Sequence, residues 1–407
     1  MKKLILFTTS YPFGNHETYI EDELLVLSKN FNVEIYPLIY KKKSKVPRRV
    51  PMNVRVHSPA FPISKLQRVI LFFKGLVHVG NLNVIFNDFA DFKVYKNPIN
   101  LKTWFLHYFH YVAMLGTSQY HDVELLDNCV FYFYWGNGWP MLCLNLAKRR
   151  NRKIFIRLHG SDCYLDRNSG YLPVRSFLYS FADYILPISE NIKNYIISLY
   201  QVDSSKILVS PLGVRKVESV NVDWPYPSGR VTIVSCSNII KLKRLDLIIE
   251  ALQLLDGDCV LDWVHFGSGD DEKRIKRILN VYSFSTIIIQ FRGHCQREEI
   301  YDYYKKNYIH GFLNVSEHEG VPVSIMEAMS FGIPCIATDV GATRELVNNN
   351  NGILISKDFA VSELAALIKE SISDKSWVVK RLVSYNFCNE NFNSETNAKR
   401  LTLFLQH

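Results

Sequence analysis

Apolar runs of strand length alternate with helical patterns along nearly the whole chain, and no other feature constrains the fold as strongly. Strands that alternate with helices pair in parallel and are covered by those helices, so the alternation predicts α/β architecture. In the first half, strands are expected at Leu4–Thr8, near Val33–Pro37, and at Val130–Tyr134, Ile154–Leu158 and Tyr184–Pro187, with a helix around Ile20–Lys29. The rhythm then restarts. Strands are expected at Val231–Cys236, Val260–Phe266, Ile287–Phe291, Gly311–Val315 and Pro334–Thr338, and helices over Leu245–Leu255, Val323–Phe331 and Val361–Ser373. Between the two series, from Gly213 to Arg230, the segment VRKVESVNVDWPYPSGR is polar, carries two prolines and has no apolar period, which reads as a seam. Two doubly wound, Rossmann-like domains are therefore predicted, and 407 residues accord with two cores of about 150 to 250 residues each. A ligand held between two such units would sit in a cleft at the carboxyl ends of their strands.

Composition narrows the class. With 48% apolar and 21% charged residues, the chain is neither disordered nor of low complexity. Its eight cysteines are scattered, with no CxxC pair and no His/Cys cluster at zinc-site spacing, so free thiols in a reducing cytoplasm are expected. The start MKKLILFTTSYPF has about seven apolar residues before polar ones, too few for a signal peptide. The uncharged stretch from Asn128 to Ala147 has membrane-span length, but Gly136, Asn137, Gly138 and Pro140 interrupt it, so strand, loop and helix are expected there.

Charge is unevenly placed. Residues 1–200 hold 25 Lys and Arg against 14 Asp and Glu, whereas residues 201–407 hold 23 against 25. Residues 41–110 alone carry 13 against 2 and interleave KKKSKVPRR with RVILFFKGLVHV and LKTWFLHYFHYV. Basic charge mixed with aromatic and aliphatic side chains suits a surface that meets anionic head groups or phosphates. A solvated basic face over buried helices is the alternative reading. No helix-turn-helix, zinc-finger or RNP-like motif accompanies the charge, so nucleic acid is not expected as a partner.

The most informative stretch is Ser316–Val347, SEHEGVPVSIMEAMSFGIPCIATDVGATRELV. A strand ends in a turn holding Glu317, His318 and Glu319. Gly320 then gives backbone freedom, and Pro322 suits the first turn of a helix whose free amides come from Val323 and Ser324. Helix amino termini attract phosphate through unpaired N–H groups and the macrodipole, and Glu327, about one turn in, could accept hydrogen bonds from sugar hydroxyls beside that phosphate. For either glutamate taken singly, a carboxylate favouring the helix dipole is a sufficient account.

The pattern Glu319-Gly320, then Glu327-Ala328-Met329 eight positions after the first glutamate, then Gly332-x-Pro334 and Gly341, resembles the E-x7-E signature of family 4 retaining glycosyltransferases of the GT-B fold. Other segments follow the same family in order: Tyr11-Pro12 to Glu23, His159-Gly160-Ser161-Asp162, Ser189-Glu190, Pro211-Leu212-Gly213-Val214, Lys243 ahead of DLIIEAL, and Phe266-Gly267-Ser268-Gly269. The resemblance implies that Glu327 binds the donor ribose, that Glu319 contacts hydroxyls of the transferred sugar, and that amides after Gly320, from Val321, Val323 and Ser324, hold the diphosphate. Lys243 matches the lysine that neutralises the leaving diphosphate, where negative charge grows as the glycosidic bond breaks. The family's arginine five residues before that lysine is replaced here by Asn238, with Arg244 the expected substitute because a guanidinium can bridge two phosphate oxygens. His159 matches a histidine that approaches the transferred sugar, and Gly14 a glycine loop where donor phosphate and acceptor come close.

By the same resemblance, residues 1–213 form an acceptor-binding domain, 214–385 a donor-binding domain, and 386–407, ending FNSETNAKRLTLFLQ, a helix returning to the first domain. The implied activity is retaining transfer of a hexose from a UDP- or GDP-sugar to a lipid-diphosphate-linked oligosaccharide or polysaccharide in cell-surface glycan synthesis, such as O-antigen or capsule. No metal and no cofactor are expected, and the protein is expected to be cytoplasmic and peripheral on the inner face of an anionic membrane. Alternatives are an epimerase or hydrolase of nucleotide sugars and a non-catalytic glycan- or lipid-binding relative. Asp256-Gly257-Asp258 has the D-x-D form of metal-dependent transferases but falls in a turn between a helix and a strand. Phe266-Gly267-Ser268-Gly269-Asp270-Asp271 lacks the third glycine of a dinucleotide fingerprint, which disfavours an oxidoreductase.

Overall fold

Twelve strands form two separate six-stranded sheets, all of whose ladders are parallel, in a computed structural model that describes residues 1–14, 17–40, 48, 50–62, 64–146, 151–218 and 229–406. The chain divides into two units. The first comprises Met1–Pro211 with Glu395–His407, the second Leu212–Ser394.

In the first unit the order is β1 (Lys3–Thr8), α1 (Ile20–Asn30), β2 (Asn32–Pro37), β3 (Arg55–Val56), α2 (Lys65–Gly75), α3 (Leu82–Asp91), α4 (Pro98–Leu115), α5 (Ser118–Leu125), β4 (Cys129–Phe133), β5 (Arg152–Leu158), α6 (Gly160–Cys163), α7 (Arg175–Phe181), β6 (Tyr184–Pro187) and α8 (Glu190–Tyr200). The strands lie in the order β3-β2-β1-β4-β5-β6, so the winding direction reverses between β1 and β4. Alternate residues of β1 and β4 (Leu4, Leu6, Val130, Tyr132) pack with Leu24 and Leu27 of α1. Burial on this scale supplies most of the stabilisation, at roughly 25 cal/mol per Å² of apolar surface.

The second unit runs β7 (Val231–Cys236), α9 (Leu245–Leu255), β8 (Leu261–Phe266), α10 (Glu272–Leu279), β9 (Ile287–Phe291), α11 (Arg297–Lys306), β10 (Gly311–Asn314), α12 (Val323–Ser330), β11 (Cys335–Thr338), β12 (Gly352–Ile355), α13 (Val361–Ser373) and α14 (Trp377–Asn391). Its order, β12-β11-β10-β7-β8-β9, repeats the doubly wound plan with the reversal between β10 and β7. Trp263 of β8 packs with Ile248 and Leu252 of α9 and with Leu364 and Ile368 of α13.

Three expectations shift. The division falls at Pro211–Leu212 rather than after Gly213, because the Val214 amide donates to Phe392 O and the Ser394 amide to Val214 O, tying this segment to the end of α14. Of the interdomain seam, residues 219–228 lie outside the described residues, as do 41–47 and 49 of the basic run. The return to the first unit begins at Glu395 and not at residue 386: Cys388 of α14 bonds to Met326 O of α12, whereas Leu401 and Leu405 of α15 (Ser394–Gln406) join the core of the first unit. Third, the helical part of Asn128–Ala147 is a 3-10 segment, Trp139–Leu144.

One polar group is sealed inside the first unit. Arg157, in the middle of β5, is fully buried, and its guanidinium donates to Glu23 of α1, to Tyr132 Oη of β4 at 2.9 Å and to Ser210 O at 2.8 Å. A lone buried charge is costly, so each of these acceptors matters. Glu23→Ala leaves the guanidinium without its counter-charge and is expected to destabilise the protein by about 3–5 kcal/mol. Tyr132→Phe removes the bond accepted from Arg157 and the longer one donated to Glu23, and is expected to cost about 1–2 kcal/mol, so urea midpoints of the two variants should separate.

Candidate functional site

In the second unit, the loops leaving β7 and β10 run to opposite sides of the sheet and open a crevice at its carboxyl edge, the place where α/β proteins hold ligands. The loop after β7 ends in a 3-10 turn, Lys241–Lys243, and the loop after β10 carries Glu319. Lys243 Nζ lies 2.6 Å from Glu319 Oε1, and Asn314 Nδ2, at the end of β10, donates to the same oxygen at 3.2 Å. A further bond from the Glu317 amide to Leu242 O, 2.9 Å, joins the two loops through their backbones. Both charged side chains are largely covered, with 19% of Lys243 and 11% of Glu319 exposed, which strengthens their attraction relative to a pair in water.

Glycines let the loops approach this closely. At Gly341, φ is +56° and an added Cβ would lie 2.1 Å from Glu319 O. At Gly267, φ is +145° and a Cβ would lie 1.8 Å from Ser237 O in the β7 loop. The Phe266–Gly269 segment is thus a packing device that backs the β7 loop.

Helix α12 opens on Pro322, whose carbonyl accepts from the Ile325 amide at 3.0 Å. The amides of Val323 and Ser324 come before the first intrahelical donor, and among the described residues neither they nor the Val321 amide has an acceptor. Pro322 therefore caps the helix instead of occupying its first turn. Glu327 sits one turn in, where Tyr301 Oη donates to its Oε1 at 3.3 Å and Arg297 Nε lies 3.6 Å away, both from α11. Burial pushes the Glu327 carboxyl up to about 6, with Arg297 pulling the other way. A polar cavity of about 410 Å³ beside these partners is lined by Arg215, Lys216, Arg297, Tyr301 and Lys305.

Arg244 departs from expectation. It adopts a left-handed conformation, φ 49°, and its guanidinium donates to Val315 O and Lys357 O, both at 2.7 Å, while lying over the Phe359 ring. Committed to backbone carbonyls, it clamps the start of the β10 loop and is not free to replace the arginine missing at Asn238. Arg297 is a cation that sequence reasoning passed over, although the capping box of Gln296 and Glu299 marks its helix start. Asp256 of the D-x-D sequence accepts the amides of Ser285, Thr286 and Ile287, which holds its carboxyl well below the usual range and ties a turn to β9. Asp258 pairs with Lys369 at 2.7 Å.

The first unit has its own polar cluster at the β1/β4 reversal. Glu17 is buried and accepts the consecutive amides of Thr9, Ser10 and Tyr11 at 2.8–2.9 Å, with Trp135 Nε1 donating at 2.7 Å from the loop after β4. No local pattern announces that role, because Glu17 lies in an aperiodic loop. Gly14 is buried in the same loop. His159 follows β5, and its ring lies 4.1 Å from that of Trp135. Its Nε2 is 3.0 Å from Tyr134 O, and since a carbonyl only accepts, Nε2 carries the proton and Nδ1 is the acceptor, facing the Asp162 amide in a capping box. Burial lowers the imidazole to about 3, aided by Arg157, so the ring is neutral near pH 7. Asp162 accepts the amides of Gly136 and His159, and burial raises its carboxyl to about 7. A cavity of about 280 Å³ at the ends of β2 and β4 is lined by Leu38, Phe61, Arg68, His107, His110 and Gly138, among others.

Residues 219–386 match the family model described as glycosyl transferases group 1. An uncharacterized glycosyltransferase of Methanocaldococcus jannaschii is 25% identical over 98% of this chain and 96% of its own length. The putative colanic acid biosynthesis glycosyltransferase WcaL of Escherichia coli is 25% identical over 62% of this chain and 64% of its own. Among solved structures, Anabaena HepE in complex with UDP and glucose superposes with a TM-score of 0.64 at 14% identity, over the full length of both chains. The second unit thus carries a domain that matches the group 1 glycosyl transferases, and the two doubly wound sheets have the GT-B fold of the solved structures they resemble.

Proposed function

We propose that the protein transfers a hexose, with retention of configuration and without a metal, from a nucleotide diphosphate sugar to a lipid-diphosphate-linked oligosaccharide or polysaccharide. The observation that carries this reading is the Lys243–Glu319 pair, which ties the β7 loop to the loop that leads into the unpaired amides of α12, with Glu327 one turn along that helix. An anionic diphosphate reaching those amides competes with Glu319 for the Lys243 ammonium, and Glu319 is then released to accept sugar hydroxyls. As the glycosidic bond breaks, the charge on the departing phosphate is met by Lys243 and the helix dipole. The acceptor hydroxyl gives its proton to the departing phosphate oxygen, so no strong protein base is needed. A UDP-sugar is favoured over a GDP-sugar by the UDP bound in the HepE structure, and a surface polysaccharide by the naming of WcaL for colanic acid synthesis. The first unit takes the acceptor, for which the 280 Å³ cavity with Arg68, His107 and His110 offers polar groups.

A thermal-shift panel of UDP, GDP, UDP-sugars and GDP-mannose against wild type and Glu327→Ala tests the donor site. UDP compounds are expected to raise the melting temperature of wild type, with about 2.7 kcal/mol of stabilisation at one hundred times Kd, and to lose this effect in the variant. No shift with any nucleotide would overturn the reading in favour of a non-catalytic binding protein. Turnover of the matching sugar should survive EDTA, and proton NMR of the first product should show the anomeric configuration of the donor.

Protonation of Glu327 gives a second test. Its carboxylate is ionised above about pH 6 and takes up a proton below it, so ribose hydroxyls lose an anionic acceptor as the pH falls. UDP affinity of wild type is expected to drop relative to Glu327→Gln between about pH 7 and 5. The nucleotide's own phosphate titrates in both proteins, so calorimetric Kd ratios isolate the carboxyl, and a flat ratio would remove Glu327 from contact with the ligand.

A further inference from the structure

We propose that helices α2, α3 and α4 of the first unit form a docking element for an anionic phospholipid leaflet, with a hydrocarbon chain entering the apolar cavity they enclose. The proposal deepens the acceptor side of the function proposed above and rests on that reading for its purpose, though not for its physical basis.

Helix α3 buries a carboxylate beside Ile85 and exposes large apolar side chains. Its carboxylate, Asp88, is buried and accepts from the Val174 amide at 2.7 Å and from the hydroxyls of Tyr108 and Tyr171. Its Leu82 and Phe86 face outward, Phe86 with 60% of its surface exposed. Helix α2 and the turn after it likewise expose Ile70, Phe73 and Val77, the last at 83%, and α4 exposes Phe105 at 59%. Soluble proteins seldom leave so many large apolar side chains together in water unless something covers them. Between the three helices lies a cavity of about 700 Å³, walled by Phe72, Leu76, Phe86, Trp104, Phe105 and Phe109 among others. The frame is fixed: Cβ atoms added at Gly75 and Gly116 would lie 1.8 Å from Val112 O and 2.1 Å from Leu71 O, so α2 and α4 cross with their backbones in contact.

Charge selects the occupant. Lys65 and Lys74 of α2, Lys93 and Lys96 just after α3, and Lys102 of α4 are exposed, and among the described residues none forms an ion pair. The only acidic residues from 65 to 115 are Asp91 and the buried Asp88. A basic rim around an exposed aromatic face fits anionic head groups above acyl chains. Among the described residues no single helix is long and apolar enough to cross a membrane, and α2 with its following turn breaks by 108° from α3. At about 1.5 Å per residue neither segment spans a hydrocarbon core of about 30 Å, so the element lies in the interface.

Flotation of the full chain with phosphatidylcholine vesicles, with and without one quarter phosphatidylglycerol, tests this. Binding to the anionic vesicles only is expected, weakening as salt rises and falling about fivefold for each of Lys65→Glu, Lys74→Glu and Lys102→Glu. The combined Phe73→Ser, Phe86→Ser and Phe105→Ser variant, altered only at exposed side chains, should lose at least tenfold in binding while keeping its melting temperature and its UDP-induced shift. Acyl-brominated lipid should quench a component of tryptophan fluorescence that Trp104→Phe removes. Equal binding to neutral and anionic vesicles, absence of binding, or absence of Trp104 quenching would each overturn the proposal, as would a dimer in solution that the triple variant dissociates. Vesicle binding retained by Glu327→Ala separates this outcome from failure of the donor site.

Discussion

The parallel pairing of β7 with β10 sets up the chemistry of the second unit. Gly311 and Phe312 lie in register with Ile233 and Val234, so the two strands end side by side while their connections leave to opposite faces. Lys243 and Glu319 meet there, and an attractive pair at 2.6 Å ties the β7 loop to the loop that leads into α12. On the function proposed above, the amides of α12 are held in place by their helix before a diphosphate arrives, and only the Lys243–Glu319 pair has to part to receive it.

Support for that crevice comes from residues with no direct chemical task. Arg244 braces the β10 loop through the carbonyls of Val315 and Lys357. Gly267 and Gly341 remove side chains that would force the loops apart. Tyr301 and Arg297 hold Glu327 from the side and oppose the burial that raises its carboxyl toward neutrality. In the first unit the corresponding reversal is organised by an internal carboxylate: Glu17 satisfies three successive loop amides and an indole N–H. The two sheets share a plan, yet one reversal presents free amides and the other has its amides filled.

Much of this was legible in the sequence. The period of the apolar runs located most core strands to within a residue or two, and Gly320-Val321-Pro322 before an apolar helical pattern marked the start of α12. The spacing of Glu319 and Glu327 put one carboxylate before that helix and one a turn inside it, whatever the rest of the chain does. The helices at residues 65–115 were less legible. Their sequence pattern does not say which side is covered, since α2 and α3 expose large apolar side chains and the buried polar residue of α3, Asp88, looks in isolation like a surface charge.

Local pattern alone determined the class of architecture, the helix amino terminus and the two glutamates, since each depends on neighbours within a few residues. Tertiary structure decided which charges meet. Glu319 finds Lys243 from 76 positions away and Glu23 finds Arg157 from 134, and parallel strands joined by crossovers do not announce their order in the chain. Arg244 illustrates the difference: adjacent to Lys243 in sequence, it is turned by its left-handed backbone onto carbonyls that β10 and the segment after β12 bring to it. A guanidinium binds the acceptors that surround it, and those are set by how the strands are ordered.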